Sequence, residues 1–182
     1  MPITTRPLDA ARRADLLAFF AANAEFNWCW CTYWDFRGDN RDWIKREAGE
    51  NQRLRDERLG TLEGVLAYDG ERPVGWCRLD RRSADDKLAA FYGPPAPDTL
   101  AVTCFCVLEG ARRQGCARGL LAAAIDHARA LGARRLEGYP RPESRDTIPD
   151  GEAWTGPTRV YAQAGFTLTP HGEHRCVAAL EL

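Results

Sequence analysis

The sequence predicts an α+β fold: a mixed, mostly antiparallel central sheet flanked by helices. Three observations point to it. In GVLAYDGERPVGWCRL (residues 64–79) two apolar runs flank Asp69-Gly70, the pattern of a β-hairpin. In LAVTCFCV (residues 100–107) a continuous apolar run leads through a Gly/Arg turn into a long amphipathic helix. The elements as a whole do not alternate strand and helix, as a doubly wound parallel sheet would require.

Taken in order, residues 9–23 read as a helix with Asp9 as N-cap and Leu16, Leu17, Phe19 and Phe20 on its apolar side. The aromatic stretch FNWCWCTYWDF (residues 26–36) and the polar turn RGDN (residues 37–40) follow. Residues 41–58 are charge-rich and helical, with Trp43, Ile44, Ala48 and Leu54 as apolar members and Gly49 as a break. After the hairpin, residues 81–97 end in YGPPAP and read as a loop. The strand at 100–107 precedes a helix with Ala117, Leu120, Leu121, Ala124, Ile125, Ala128 and Leu131 at helical spacing, ended by Gly132. Residues 134–140 read as a strand and 141–157 as a second long loop. Pro157 opens a short helix that Gly165 stops, and residues 166–169 and 175–182 are closing strands. A length of 182 residues suits one domain over residues 1–182.

A net charge of −1 argues against broad attraction to nucleic acid or an anionic membrane. No apolar run is long enough to span a bilayer, and the opening MPITTRPLDAARR lacks the pattern of a signal peptide. With seven cysteines, an odd number, the chain is expected to keep reduced thiols in the cytoplasm. Cys29/Cys31 and Cys104/Cys106 are both Cys-x-Cys pairs and invite a four-thiolate zinc site. Strand geometry sets alternate residues about 6–7 Å apart, and neither pair is followed by a Gly-containing knuckle. The pairs are therefore read as small apolar filler, with no metal expected.

The stretch richest in chemistry is VLEGARRQGCARGLL (residues 107–121). The first amides of a helix have no intrahelical partner and carry the positive end of its dipole, so such a terminus binds phosphate. Gly115 lets a ligand approach the backbone, and Arg112, Arg113 and Arg118 add positive charge. Neither a Walker-type ending nor a dinucleotide fingerprint is present. Read from the residues alone, the alternative is a helix start with surface arginines.

Arg112-x-x-Gly115-x-Ala117, with Val107 before it and Leu120-Leu121 after it, resembles the acetyl-CoA pyrophosphate loop of the GCN5-related N-acetyltransferases. TRVYAQAGF (residues 158–166) resembles that family's penultimate helix, with Tyr161 four residues before Gly165-Phe166. LAYDGERPVGWCRL, TCF, EGYP, WTGPTRVYAQAGF and the aromatic, cysteine-bearing N-terminal segment resemble one branch of the family. The resemblance implies the family's fold, direct acetyl transfer from acetyl-CoA to a small-molecule or peptide amine, and a monomer or homodimer. It also implies that backbone amides of Cys104, Phe105, Cys106 and Val107 hold the pantetheine arm and polarise the acetyl carbonyl. Residues Arg112, Arg113, Gln114, Gly115, Cys116, Ala117 and Arg118 would cradle the diphosphate.

An alkyl amine has a pKa near about 10.4, so the site must deprotonate it and protonate the leaving thiolate. Tyr161 matches the family tyrosine near the cofactor sulfur and is the candidate acid; the alternative is a core tyrosine. Glu137 is the candidate base, Glu63 a weaker one, and ordered water a third route. Cys104 is disfavoured as a nucleophile. His127, His171 and His174 are given no role. Trp28, Trp30, Tyr33 and Trp34 fall where the family covers its acceptor site, and are expected to divide between core and pocket. The 141–157 loop, with Trp154, is expected to close over the same cleft. Two rivals stay open: a domain that binds CoA without turnover, and a cysteine-dependent metal or redox protein.

Overall fold

The computed structural model describes residues 2–141, 154–172 and 175–182. One sheet runs through it, with strands β1 (Ile3–Pro7), β2 (Glu63–Asp69), β3 (Arg72–Arg81), β4 (Thr99–Val107), β5 (Arg135–Gly138), β6 (Thr167–Pro170) and β7 (Cys176–Glu181) in the order β1-β2-β3-β4-β5-β7-β6. Only β4 and β5 pair in parallel. The helices are α1 (Arg13–Ala22), α2 (Asn40–Trp43), α3 (Ala48–Arg58), α4 (Ala89–Tyr92), α5 (Cys116–Ala130) and α6 (Thr158–Gln163). The mixed, mostly antiparallel sheet and its hairpin are as the sequence predicts.

Each face of the sheet buries its own layer. On one face Val65, Cys77, Leu79, Val102, Phe105 and Leu136 pack against Leu120, Leu121, Ala124 and Ala128 of α5 and Tyr161 of α6. The spacing of those α5 residues is what lays the helix flat on β1–β4. On the other face Leu66, Tyr68, Trp76, Cys104 and Cys106 meet Leu16, Phe19 and Phe20 of α1 and Phe26 and Trp30 of the aromatic stretch. Alternation along the strands assigns each residue its face.

Four local readings are corrected. β1 was missed because ITTRP is a short edge strand with no apolar alternation, held by backbone pairing to β2. The 41–58 segment breaks after Trp43, before α3, and Gly49 sits inside α3. The break is set by Glu47, which caps α3 in a reciprocal capping box with Glu50. The 81–97 loop contains α4. Pro157 is the N-cap of α6, and its first residue is Thr158. Asp9 does act as a cap, accepting from the amide of Arg12 at 3.0 Å. Most of the 141–157 loop, and His174, lie outside the described residues.

Candidate active site

The site begins where two strands part. The β4–β5 ladder ends at Val102↔Gly138, while β4 runs on to Val107. Opposite β3, the register passes from Leu79↔Val102 to Arg78↔Cys104, so Thr103 is an extra residue in β4. This bulge turns Thr103 and Cys104 to the same face and bends the strand away from β5. Beyond it, Leu108 N donates to Val74 O at 2.9 Å. That bond fixes the alternation: Cys106 pairs with Trp76 of β3, while Phe105 and Val107 turn their amides outward into the notch. Of the four amides at 104–107 considered from sequence, two therefore point the wrong way, those of Cys104 and Cys106. The Phe105 amide donates to Trp154 O at 2.7 Å.

The strand feeds a tight turn and then α5. Arg113 (φ 60°) and Gly115 (φ 84°) both adopt left-handed backbone, which coils the turn back onto the helix start. Gly115 is the N-cap, and no side chain caps the helix. The amides of Cys116, Ala117 and Arg118 are thus left for a ligand, with the helix dipole behind them. The side chains differ from the sequence reading. Arg112 is engaged by the carboxylate of Glu25 and by Val107 O at 3.1 Å, so its guanidinium stitches the turn to the aromatic stretch. Gln114 donates to Gly110 O at 2.7 Å. The Cys116 side chain is buried against the sheet, where burial pushes its thiol up to about 11. Arg113 and Arg118 are both exposed, and Arg118 Nη2 would lie 3.5 Å from a Cβ at Gly115, so these cations face the turn.

Tyr161 lies across the same notch and is fully buried. Its hydroxyl donates to Thr155 O at 2.9 Å. Its ring fits because position 138 is glycine: a Cβ there would stand 2.3 Å from the tyrosine ring. Burial holds the phenol well above its ordinary range, so it stays protonated and acts as a donor.

On the α1 face of the bulge an open cavity of about 390 Å³ is lined by Trp34, Asp35, Arg78, Asp80, Lys87 and Thr103, among others. Trp34 Nε1 donates to Thr103 O at 2.8 Å, tying the aromatic stretch to the extra residue of β4. The Thr103 hydroxyl bonds Asp80, and buried Arg78 bridges Asp35 and Asp80 at 2.6 and 2.8 Å. Tyr33 and Trp34 are half-buried and touch each other and Trp154, and Tyr33 also touches Trp43. Trp28 is 41% exposed and leans on Trp43. Trp30 is core, with the Arg55 guanidinium 4.0 Å over its ring. Of the four, Trp34 lines the cavity, Tyr33 packs beside it, and Trp30 belongs to the core.

Glu137 is on the cavity face but differs from a free base. Its Oε1 accepts from Arg135 at 2.8 Å, and its Oε2 from Arg82 at 3.1 Å and from the Tyr139 hydroxyl at 2.7 Å. Two guanidinium groups hold this carboxylate, which removes the support for it as a proton acceptor. Glu63 pairs with His127 of α5 at 3.1 Å, beside the opposite face. Sequence reasoning missed Asp80, Arg78 and Thr103. Charged residues alternating with Leu79 read as a solvated strand face, and no local signal reveals a bulge.

The cysteines of both pairs are free thiols packed in or against the core, but the spacing in the second pair is closer than expected. Cys104 and Cys106 turn their sulfurs to within 3.4 Å of each other, and Trp76 Nε1 donates to Cys31 Sγ at 3.4 Å. Among the described residues, however, no group of three or more His, Cys, Asp or Glu is arranged to hold a metal ion. Burial pushes Cys29 up to about 12 and raises Cys31, Cys77 and Cys106 as well.

The sequence profile of the acetyltransferase (GNAT) family matches residues 16–147. The chain belongs to this family. GNAT structures share the fold over nearly the whole chain. A GNAT-family protein from Desulfovibrio desulfuricans is 19% identical, with 98% of each chain covered and a TM-score of 0.57. The GNAT domain of PAT from S. lividans is 22% identical, with 98% of this chain and 89% of that one covered and a TM-score of 0.59. The PaiA N-acetyltransferase of Thermoplasma acidophilum, solved in complex with coenzyme A, is 12% identical over 100% of both chains, with a TM-score of 0.56. No curated protein matches the sequence. Among the described residues of this GNAT chain, no helix is long and apolar enough to cross a membrane.

Proposed function

We propose that this GNAT chain is an acetyl-CoA-dependent N-acetyltransferase that moves the acetyl group directly to a small-molecule or peptide amine. One observation carries the reading. The outward amides of Phe105 and Val107 lie on the strand that leads into the uncapped start of α5. Together they form a track of donors that suits an amide-bearing arm ending in a diphosphate. Coenzyme A sits on the same fold in the Thermoplasma acidophilum structure, which supports the choice of donor.

In this reading Phe105 and Val107 polarise the acetyl carbonyl, each such donor contributing a few kcal/mol (about 3) to the transition state. Tyr161 supplies its hydroxyl to the leaving sulfur. Its raised pKa makes it a hydrogen-bond donor first and a weak acid second. The amine enters from the cavity bounded by Trp34 and Thr103. Asp80, with 28% of its side chain exposed and one cation partner among the described residues against two for Glu137, takes the proton, directly or through water. The enzyme is placed in the cytoplasm as one domain, monomer or homodimer, with no resident metal.

Two observations favour a second reading, a domain that binds CoA without turnover. Tyr161 is fully buried and the Phe105 amide is already paired with Trp154 O. Calorimetry with acetyl-CoA combined with thiol release over a panel of amines separates the two. Amine-dependent release supports the transferase; tight binding with no release supports the sensor.

A further inference from the structure

Lysine is scarce in this chain: two of its 25 basic residues are lysines, Lys45 and Lys87. Lys45 is exposed, just beyond α2. Lys87 lines the cavity together with Trp34, Asp80 and Thr103. Its Nζ lies 3.8 Å from the centroid of the Tyr33 ring and 5.5 Å from that of Phe36, and donates to Tyr33 O at 3.3 Å. Its neighbour Asp86 is turned away from it. That carboxylate binds Arg82 at 2.7 Å and the amides of Ser83 and Ala89. No carboxylate of the described residues comes within ion-pair distance of Lys87. This half-buried ammonium is thus held by a carbonyl and aromatic rings, with no carboxylate among the described residues to neutralise it. The chain thus presents an amine of its own, held by aromatic rings, in the cavity through which an external amine would enter.

We propose that the enzyme acetylates its own Lys87. The inference rests on the acetyltransferase function proposed above. A chain of contacts links Lys87 to the strand that carries the outward amides. Tyr33 meets Trp34 with ring centroids 4.7 Å apart, and Trp34 bonds Thr103, the bulge residue two positions before Phe105, the first outward amide. The neutral Nζ attacks the thioester carbonyl carbon of acetyl-CoA. An N–C bond forms, the C–S bond breaks, and the proton lost by nitrogen passes to Asp80 or water. The thiolate recovers a proton, and the products are acetyl-lysine and free CoA. Burial against the rings lowers the pKa of Lys87 below the ordinary lysine value, which enlarges its neutral fraction. Arginine is not an acceptor in this chemistry, so Lys45 is the internal control for acylation from solution.

The test incubates the full-length protein with acetyl-CoA and no other amine, then maps acetylated peptides by mass spectrometry over time. The expected result is acetyl on Lys87 at a rate at least about tenfold above that on Lys45, because the held amine reacts as a neighbouring group. One equivalent of thiol is released per chain, and K87R loses that release. A non-transferable thioether analogue of acetyl-CoA, added in excess, should protect Lys87 and spare the slow reaction at Lys45. Equal rates at the two lysines, or no protection by the analogue, overturn the inference. Thiol release to external amines with Lys87 unmodified overturns it while leaving the proposed transferase standing. No release with any amine and no modification overturns both.

Discussion

The backbone amide of Phe105 donates to the carbonyl of Trp154 at 2.7 Å, in the notch where β4 has left β5. A cofactor arm that uses this amide must take it from Trp154. The register predicts which β4 amides respond. In an amide NMR titration with CoA, the Phe105 and Val107 resonances should move most. Those of Cys104 and Cys106, turned toward β3, should move little. The reverse pattern would contradict the direction of the strand and with it the track of donors.

Gly115 separates two effects that a single substitution would mix. Its φ of 84° puts a strain of about 1 kcal/mol on any side chain. Yet a Cβ would meet nothing closer than Arg118 Nη2 at 3.5 Å. Gly115→Ala should therefore fold with a stability loss of about that size and keep part of its CoA affinity. Gly115→Glu adds a negative charge beside the uncapped amides of α5 and should abolish binding. Calorimetry of both variants, with denaturant melts to confirm folding, is the check. Unchanged affinity in folded Gly115→Glu would remove the diphosphate from this turn.

The turn was legible in the sequence because its signal is local: a glycine, arginines and an apolar period within fifteen residues of one another. The hairpin was legible for the same reason. What could not be read were features made by two distant segments. Thr103 becomes special only because β3 slips by one residue against it. Trp34 matters because it reaches across the fold to Thr103 O. Glu137 looked available because its partner Arg82 lies in a loop 55 positions earlier. β1 carries no side-chain pattern, since backbone pairing alone holds it at the sheet edge.

Glu137 and Tyr161 should fail in different ways. Removing Glu137 leaves buried Arg82 with one carboxylate, Asp86, in place of two. Breaking a buried pair typically costs about 3 kcal/mol or more. Glu137→Ala should lower the melting temperature well before it lowers turnover per folded molecule. Tyr161→Phe loses one hydroxyl bonded to Thr155 O, a loss of about 1 kcal/mol in stability. It should slow turnover by about tenfold or more, with CoA affinity little changed. Thermal melts and steady-state rates on both variants decide it. A catalytic defect in Glu137→Ala at wild-type stability would restore that residue as the base.

The buried thiols make a pH prediction whose sign is fixed by burial. Cys29 is pushed from 9.0 to about 12 and Cys116 to about 11, by desolvation in both cases. A raised thiol pKa means a smaller thiolate fraction at every pH below it, and only the thiolate attacks an alkylating agent. Near pH 8 a free thiol is partly ionised, whereas Cys29 should carry about a thousandfold less thiolate than its ordinary pKa allows. In the native protein, iodoacetamide labelling should therefore be slow at Cys29 and Cys116. It should climb as pH passes through 9 and 10 without levelling off, where a free thiol already does. Unfolding in guanidinium removes the desolvation, and all seven cysteines should then label at the rate of a free thiol. Rapid native labelling at Cys29 that saturates near pH 9 would show that this thiol reaches water, and that the aromatic stretch is packed less tightly on α1 and β3 than the contacts of Trp30 and Cys31 require.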